Sequence, residues 1–258
     1  MIFIEANFKF WLLRGLVFFG LIAGILGKTG QAAEPPQFEI FTAVLPPYTE
    51  TIPESGPLTG FLAQIVQESL SAAGLKLVAQ PKNLAWKRSQ EIGRETPNSL
   101  IFPFARTPLR EPNYKWVSIV VNDAFYAYSL KGAPAVKSLE DIKSLKRVGV
   151  TAGSAAESYA KSLGIESSLD PAPTDIQNYQ KLSLARLDVV LGQIITGAYL
   201  TAQLGITDQV QRSSKLQELP LWVATSPQTS EEAIAVVRNA LEAYKKTPRY
   251  AELTKQYQ

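Results

Sequence analysis

Apolar residues at Leu58, Phe61, Leu62, Ile65, Val66, Leu70 and Ala73 follow three-and-four spacing. This predicts an amphipathic helix over 58–73, with Gly74 supplying its C-terminal stop. On either side the period changes. Phe38 to Val44 alternates in part and is rich in β-formers, which predicts a first strand stopped by Pro46-Pro47 and a loop through Pro53 and Gly56. A second strand is predicted at Leu75 to Ala79 and a helix around Trp86 to Gly93. Strands follow at Ser99 to Phe104 and near Val117 to Val121. The rhythm is that of an α/β unit.

A second unit begins near residue 130. Ser138-Leu139-Glu140-Asp141 has the form of a helix-start box, and Ser154-Ala155-Ala156-Glu157 repeats it. Between them Arg147 to Val150 is a short buried strand, and Leu187 to Gly192 is another. The pattern then returns to a strand, Leu221 to Ala224, and to a helix from Thr229 through Tyr244, whose early Glu231 and Glu232 suit the positive end of its dipole. Alternating α/β in two lobes is the predicted architecture.

Residues 1–33 do not share this rhythm. Lys9 and Arg14 precede an apolar run from Gly15 to Gly27, and the small residues Gly30-Gln31-Ala32-Ala33 follow. This is the plan of a secretory signal, with cleavage expected after Ala32. The run is shorter than the roughly 20 residues that cross hydrocarbon as a helix. An uncleaved anchor is the alternative, because Phe10 to Leu13 would lengthen the span with Arg14 snorkelling. Either way the remainder is exported, and Glu34-Pro35-Pro36 reads as a stiff linker.

Composition narrows the chemistry. The chain has 258 residues, no Cys and no His, so disulfides, thiol ligands, Ser-His-Asp catalysis and His-bound metals are excluded. No metal or other cofactor is expected. The formal charge of +3 comes largely from the first 32 residues, where Lys9, Arg14 and Lys28 face Glu5 alone. The rest is near neutral and has no nucleic-acid footprint. Lys87-Arg88 and Lys245-Lys246 are too short to argue otherwise.

Three groups of residues carry candidate chemistry. The loop Ala105-Arg106-Thr107-Pro108-Leu109-Arg110-Glu111 follows a strand, and ligands in open α/β sheets collect beyond the carboxyl ends of strands. An arginine fork there suits a carboxylate or phosphate. By spacing alone, solvated loop charges, one paired with Glu111, fit equally. Thr151-Ala152-Gly153-Ser154 leads directly into a helix, where free amides and the dipole favour an anion; a capped helix with nothing bound has the same sequence. Tyr48 and Trp86 lie beside strand ends, where a flat side chain walls a pocket. Phe102 and Trp116 read as core.

Leu45-Pro46-Pro47-Tyr48, Gly60-Phe61-Leu62, Trp86-Lys87-Arg88, the loop 106–111, Tyr114-Lys115-Trp116-Val117, Ser138 to Ile142, Val148 to Ser154 and Leu187 to Leu191 stand in an order and spacing that resembles type II periplasmic substrate-binding proteins. The likeness is to solute-binding family 3, the polar amino acid group. The resemblance implies two mixed sheets flanked by helices, with crossover strands near Ala124 to Leu130 and Leu219 to Ala224. Lobe 1 would span 33–127 plus 219–258, and lobe 2 would span 128–218. It further implies a periplasmic receptor, monomeric and not an enzyme, that closes on a small solute and serves an ABC permease. Ligand contacts carried over by position are Arg110 and Thr107 for a carboxylate, Ser154 from the other lobe, and Tyr48 and Trp86 around the ligand body. Arg106 and Gln193 complete the expected set. Gln193 stands where amino-acid binders usually place an aspartate for the ligand ammonium, and a neutral amide cannot balance a buried cation. Glu157 and Asp123 are the acids that would have to compensate. Two other readings of the scaffold are a ligand sensor for a signalling partner and a dehydratase-like enzyme.

Overall fold

The computed structural model describes residues 36–54, 57–79 and 82–255. The expected signal segment, its cleavage point and Gly56 lie outside them. Nine strands form one hydrogen-bonded sheet: β1 (Gln37–Phe41), β2 (Lys76–Ala79), β3 (Ser99–Ala105), β4 (Lys115–Leu130), β5 (Val148–Thr151), β6 (Leu169–Ala172), β7 (Val189–Gln193), β8 (Val210–Arg212) and β9 (Gln217–Thr225). The strand order is β2-β1-β3-β9-β4-β7-β5-β6, with β8 also on β4. Within each half the outer strands are parallel, and β4 and β9 run antiparallel to their neighbours. The two expected sheets are thus halves of one path, because β4 and β9 stay paired through the middle.

The strand expected near Val117 to Val121 and the crossover expected at Ala124 to Leu130 are one element, β4. No Gly or Pro interrupts this stretch, and partners replace one another along it. β9 pairs with β4 from Lys115 to Phe125, and β7 takes over from Phe125 to Tyr128. Phe125 therefore lies where the two halves of the sheet meet.

Helices cover both faces. They are α1 (Phe61–Ala72), α2 (Trp86–Glu95), α3 (Leu139–Ile142), α4 (Ala155–Ser162), α5 (Asp175–Ser183), α6 (Ile194–Gln203), α7 (Glu231–Tyr244) and α8 (Pro248–Thr254). The apolar stripe of α1 is buried at Phe61, Leu62, Ile65, Val66 and Leu70. Leu58, counted into that stripe by spacing, is buried ahead of the helix. The first predicted start box forms, Ser138 and Asp141 capping each other's amides; at the second the Ser154 hydroxyl accepts from the Glu157 amide, but the Glu157 side chain accepts from the Gly153 amide, so that box is only half made. Helices α5, α6 and α8 and strands β6 and β8 escaped the sequence reading. Among the described residues no helix is long and apolar enough to cross a membrane.

One glycine positions the site directly. Gly60 has φ 102° and ψ 144°, a region essentially closed to other residues. A Cβ there would sit 2.6 Å from the Tyr48 carbonyl oxygen and 2.7 Å from the Thr49 Cα. The chain before α1 therefore lies against the Tyr48 turn, whose carbonyls accept from the amides of Phe61 and Ala63. Gly60→Ala is expected to lower stability by about 2 kcal/mol or more through backbone strain and overpacking. The measurement is a urea titration, read as a fall in midpoint at unchanged slope.

Candidate functional site

A cavity of about 40 Å³ lies between the two halves of the sheet. Tyr48, Trp86, Pro103, Ala105 and Arg110 line it from the first half, and Thr151, Ser154, Asp175, Gln193 and Thr196 from the second. Phe125 stands at the junction, and Leu45, Leu191 and Leu221 add apolar wall. The volume corresponds to a few water-sized groups.

Arg110 is the buried cation of this cavity. The strand β3 ends at Ala105, and the turn that follows is closed by the Thr107 carbonyl, which accepts from the amides of Arg110 and Glu111 at 2.9 Å each. The guanidinium folds back under the strand end. Its Nη1 donates to the Ala105 carbonyl at 2.9 Å, and its Nη2 to Gln90 Oε1 at 3.0 Å and to the Gly153 carbonyl at 2.8 Å. The Phe104 ring lies 4.1 Å beneath it, held edge-on by Trp86 and Tyr114. Every one of these partners is neutral. Burial consequently pushes the Arg110 pKa down to about 10.

The same contacts join the two halves. Gly153, just before α4, belongs to the second half, and its carbonyl also accepts from Gln90 Nε2 at 3.1 Å. A Cβ on Gly153 would lie 3.0 Å from the Lys87 Cβ, so α2 and the turn before α4 touch along their backbones. Gln90 was not singled out in the sequence. Its only signal is its place one helical turn after Trp86 on the same face of α2.

The turn before α4 is largely self-satisfied. The Gly153 amide donates to Glu157 Oε2 at 2.6 Å, the Ser154 amide to the Thr151 carbonyl at 3.0 Å, and the Glu157 amide to Ser154 Oγ at 3.2 Å. Ser154 lines the cavity as expected, but its hydroxyl serves the cap. Ala155 and Ala156, whose amides those contacts leave unused, line the cavity too. Glu157 is engaged there and with Lys161 at 2.9 Å, which keeps it from a compensating role in the cavity.

Two expected ligand residues lie elsewhere. Arg106 is not at the cavity. Neighbouring residues at a strand end face opposite sides, so with Ala105 at the cavity the Arg106 side chain lies outside, between the rings of Trp116 and Trp222 at 5.4 and 5.3 Å. There it forms a two-pronged ion pair with Glu111. Thr107 is buried but absent from the cavity wall; its backbone shapes the Arg110 turn, and its hydroxyl has no partner among the described residues. Tyr48, Trp86 and Gln193 do line the cavity. The Gln193 carbonyl accepts from the Tyr128 hydroxyl at 3.3 Å.

Two acids flank this space. Asp123, on β4, accepts from the Tyr48 hydroxyl, from its neighbour Ala124's amide at 2.7 Å and from the Ile194 amide at 3.2 Å. It ties the Tyr48 turn, the long strand and the start of α6 together. Burial pushes its pKa up to about 6. Asp175, at the start of α5, lines the cavity itself and accepts from the Thr151 hydroxyl. Sequence reading missed it. Thr174-Asp175 ahead of Ile176, Tyr179 and Leu182 is the helix-start signal that would have found α5, though not the place of its first residue at the cavity.

The Asp123 shift gives a sign for pH dependence. A carboxyl raised from 3.8 to about 6 in the folded state binds more protons there than in the unfolded chain at intermediate pH. Stability from this group is therefore highest below about pH 4 and falls, by on the order of 3 kcal/mol, as pH rises through 6. Relative to Asp123→Asn, the wild type should lose ground between pH 4 and 6 and keep a constant offset above. Urea unfolding of both proteins across that range checks it.

No protein-family model and no curated protein sequence matches the chain. Solved structures do. The GluR0 ligand-binding core from Nostoc punctiforme in complex with L-glutamate superimposes with TM-score 0.73 at 19% identity, covering 85% of this chain and 98% of that one. An ancestral arginine-binding protein bound to arginine gives TM-score 0.71 at 21% identity over 86% and 97%. A histidine kinase sensor domain with similarity to periplasmic binding proteins gives 0.77 at 14% identity over 86% and 96%. With the strand order and the inter-half cavity, these likenesses show that the chain has the type II periplasmic-binding-protein fold.

Proposed function

We propose that this protein is a periplasmic receptor for a small polar, carboxylate-bearing solute, an amino acid or a related compound. The observation that carries this reading is Arg110: a buried guanidinium at a cavity wall, bonded only to neutral acceptors. A buried charge without a counterion is costly, and a ligand carboxylate supplies the missing one. The neighbours bound to glutamate and arginine support the same class of solute.

In this reading lobe 1 is 33–127 plus 219–258 and lobe 2 is 128–218, and they rotate about β4 and β9. Only a solute that touches both lobes favours closure. Arg110 contributes from lobe 1 and the start of α4 from lobe 2, while Tyr48 and Trp86 flank the ligand body. The closed monomer is then recognised by an ABC-type permease in the inner membrane. No step of chemistry is assigned to the site. The histidine kinase sensor domain, with its TM-score of 0.77, favours a second reading, in which the closed form reports to a signalling partner. Deleting the gene and following uptake of the bound solute separates them: loss of uptake supports transport, whereas intact uptake supports sensing.

Thermal-shift screening against amino acids and organic acids is expected to reveal a stabilising solute. A ligand at a hundredfold excess over its Kd adds about 2.7 kcal/mol. Arg110→Ala should weaken its binding by on the order of 2 to 5 kcal/mol in calorimetry. Unchanged affinity would remove Arg110 from the site and the proposal with it.

A further inference from the structure

The cavity wall also holds an acid, which is half-buried. Asp175 lines the wall that the second half of the sheet contributes. Its carboxylate accepts from the Thr151 hydroxyl, and Thr151 in turn accepts from the Asn178 amide at 3.4 Å. Asn178 lies three residues further along α5 and is fully buried, so the helix and the end of β5 together fix where the carboxylate points. Among the described residues no cation pairs with Asp175 and no carboxylate with Arg110.

The fully buried acid nearby is differently placed. Asp123 already accepts from Tyr48, Ala124 and Ile194 and is not part of the cavity wall. A carboxylate offers about four acceptor sites, so Asp123 is nearly saturated, whereas Asp175 has one side-chain donor. Gln193, where a cation partner was sought from sequence, presents a neutral amide. A solute bearing only an acid group would pair with Arg110 and leave Asp175 desolvated opposite added negative charge. A solute bearing both signs satisfies both walls.

The geometry points to Asp175 as the carboxylate that recognises a cationic group on the solute, with the solute's acid group at Arg110. The solute is accordingly amphoteric, and selection for its cation comes from the start of α5 rather than from residue 193. This assignment rests on the receptor reading above.

The test uses calorimetry on the purified full chain with the common amino acids and γ-aminobutyrate, each beside its des-amino carboxylate. At least one amino acid is expected to bind wild type tenfold or more tightly than its des-amino counterpart. Asp175→Asn should abolish that preference by weakening the amino acid at least tenfold while leaving the des-amino acid as tight or tighter. Unliganded melting curves verify that each variant folds, and Asp175→Ser replaces Asp175→Asn if the latter does not. Equal wild-type affinity for both members of a pair, or a preference that survives loss of the Asp175 charge, overturns the role of Asp175 and leaves Arg110-dependent binding standing. Binding by neither class overturns the receptor reading and this assignment together.

Discussion

The site depends on a guanidinium removed from water without a carboxylate to meet it. Arg110 is held by three neutral acceptors and an aromatic ring, an arrangement that orients the fork while leaving its charge uncompensated. Much of the surrounding structure serves this placement. The Thr107 carbonyl turns the loop, Phe104 and Trp86 floor it, and Gln90 braces it from α2. Because one of the three acceptors is Gly153, on the far side of the cavity, the same guanidinium also joins the two halves of the sheet. In the proposed receptor, recognition and closure would therefore share one group, and neither could be altered alone.

Elements whose identity is set locally were legible in the sequence. The α1 stripe, the Ser138 and Ser154 caps and the strands around Ile40, Val148 and Val189 follow from spacing and capping chemistry. The Arg110 loop was located by its position after a strand. What spacing could not decide was which of two nearby arginines turns inward: Arg106 and Arg110 share a loop, and the alternation at the end of β3, with the pairing to β9 that brings Trp222 beside Arg106, separates them. Thr107 illustrates the same limit, since a hydroxyl and a backbone carbonyl of one residue are indistinguishable as roles until the turn is built.

Asp175 and Gln90 were illegible for another reason. Each acts through a partner distant in the chain, Asp175 through the cavity it shares with Arg110 and Gln90 through Gly153. Both sit on helices whose starts carry modest signals, and α5 lies between two short strands that dominate its neighbourhood. Long-range assembly chose these side chains, and no window of a dozen residues contains the choice.

The strand order has a consequence for how the molecule is made. β9 lies between β3 and β4, yet it is the last of the nine described strands in chain order. Until residues 217–225 emerge, β3 and β4 expose facing edges with unpaired backbone groups, while β5, β6 and β7 already have their neighbours. The half of the sheet that begins the chain is the last to be completed, and its completion requires contacts of long sequence separation, which form slowly. A chain that leaves its birthplace before its final strand arrives does so with its first half still open.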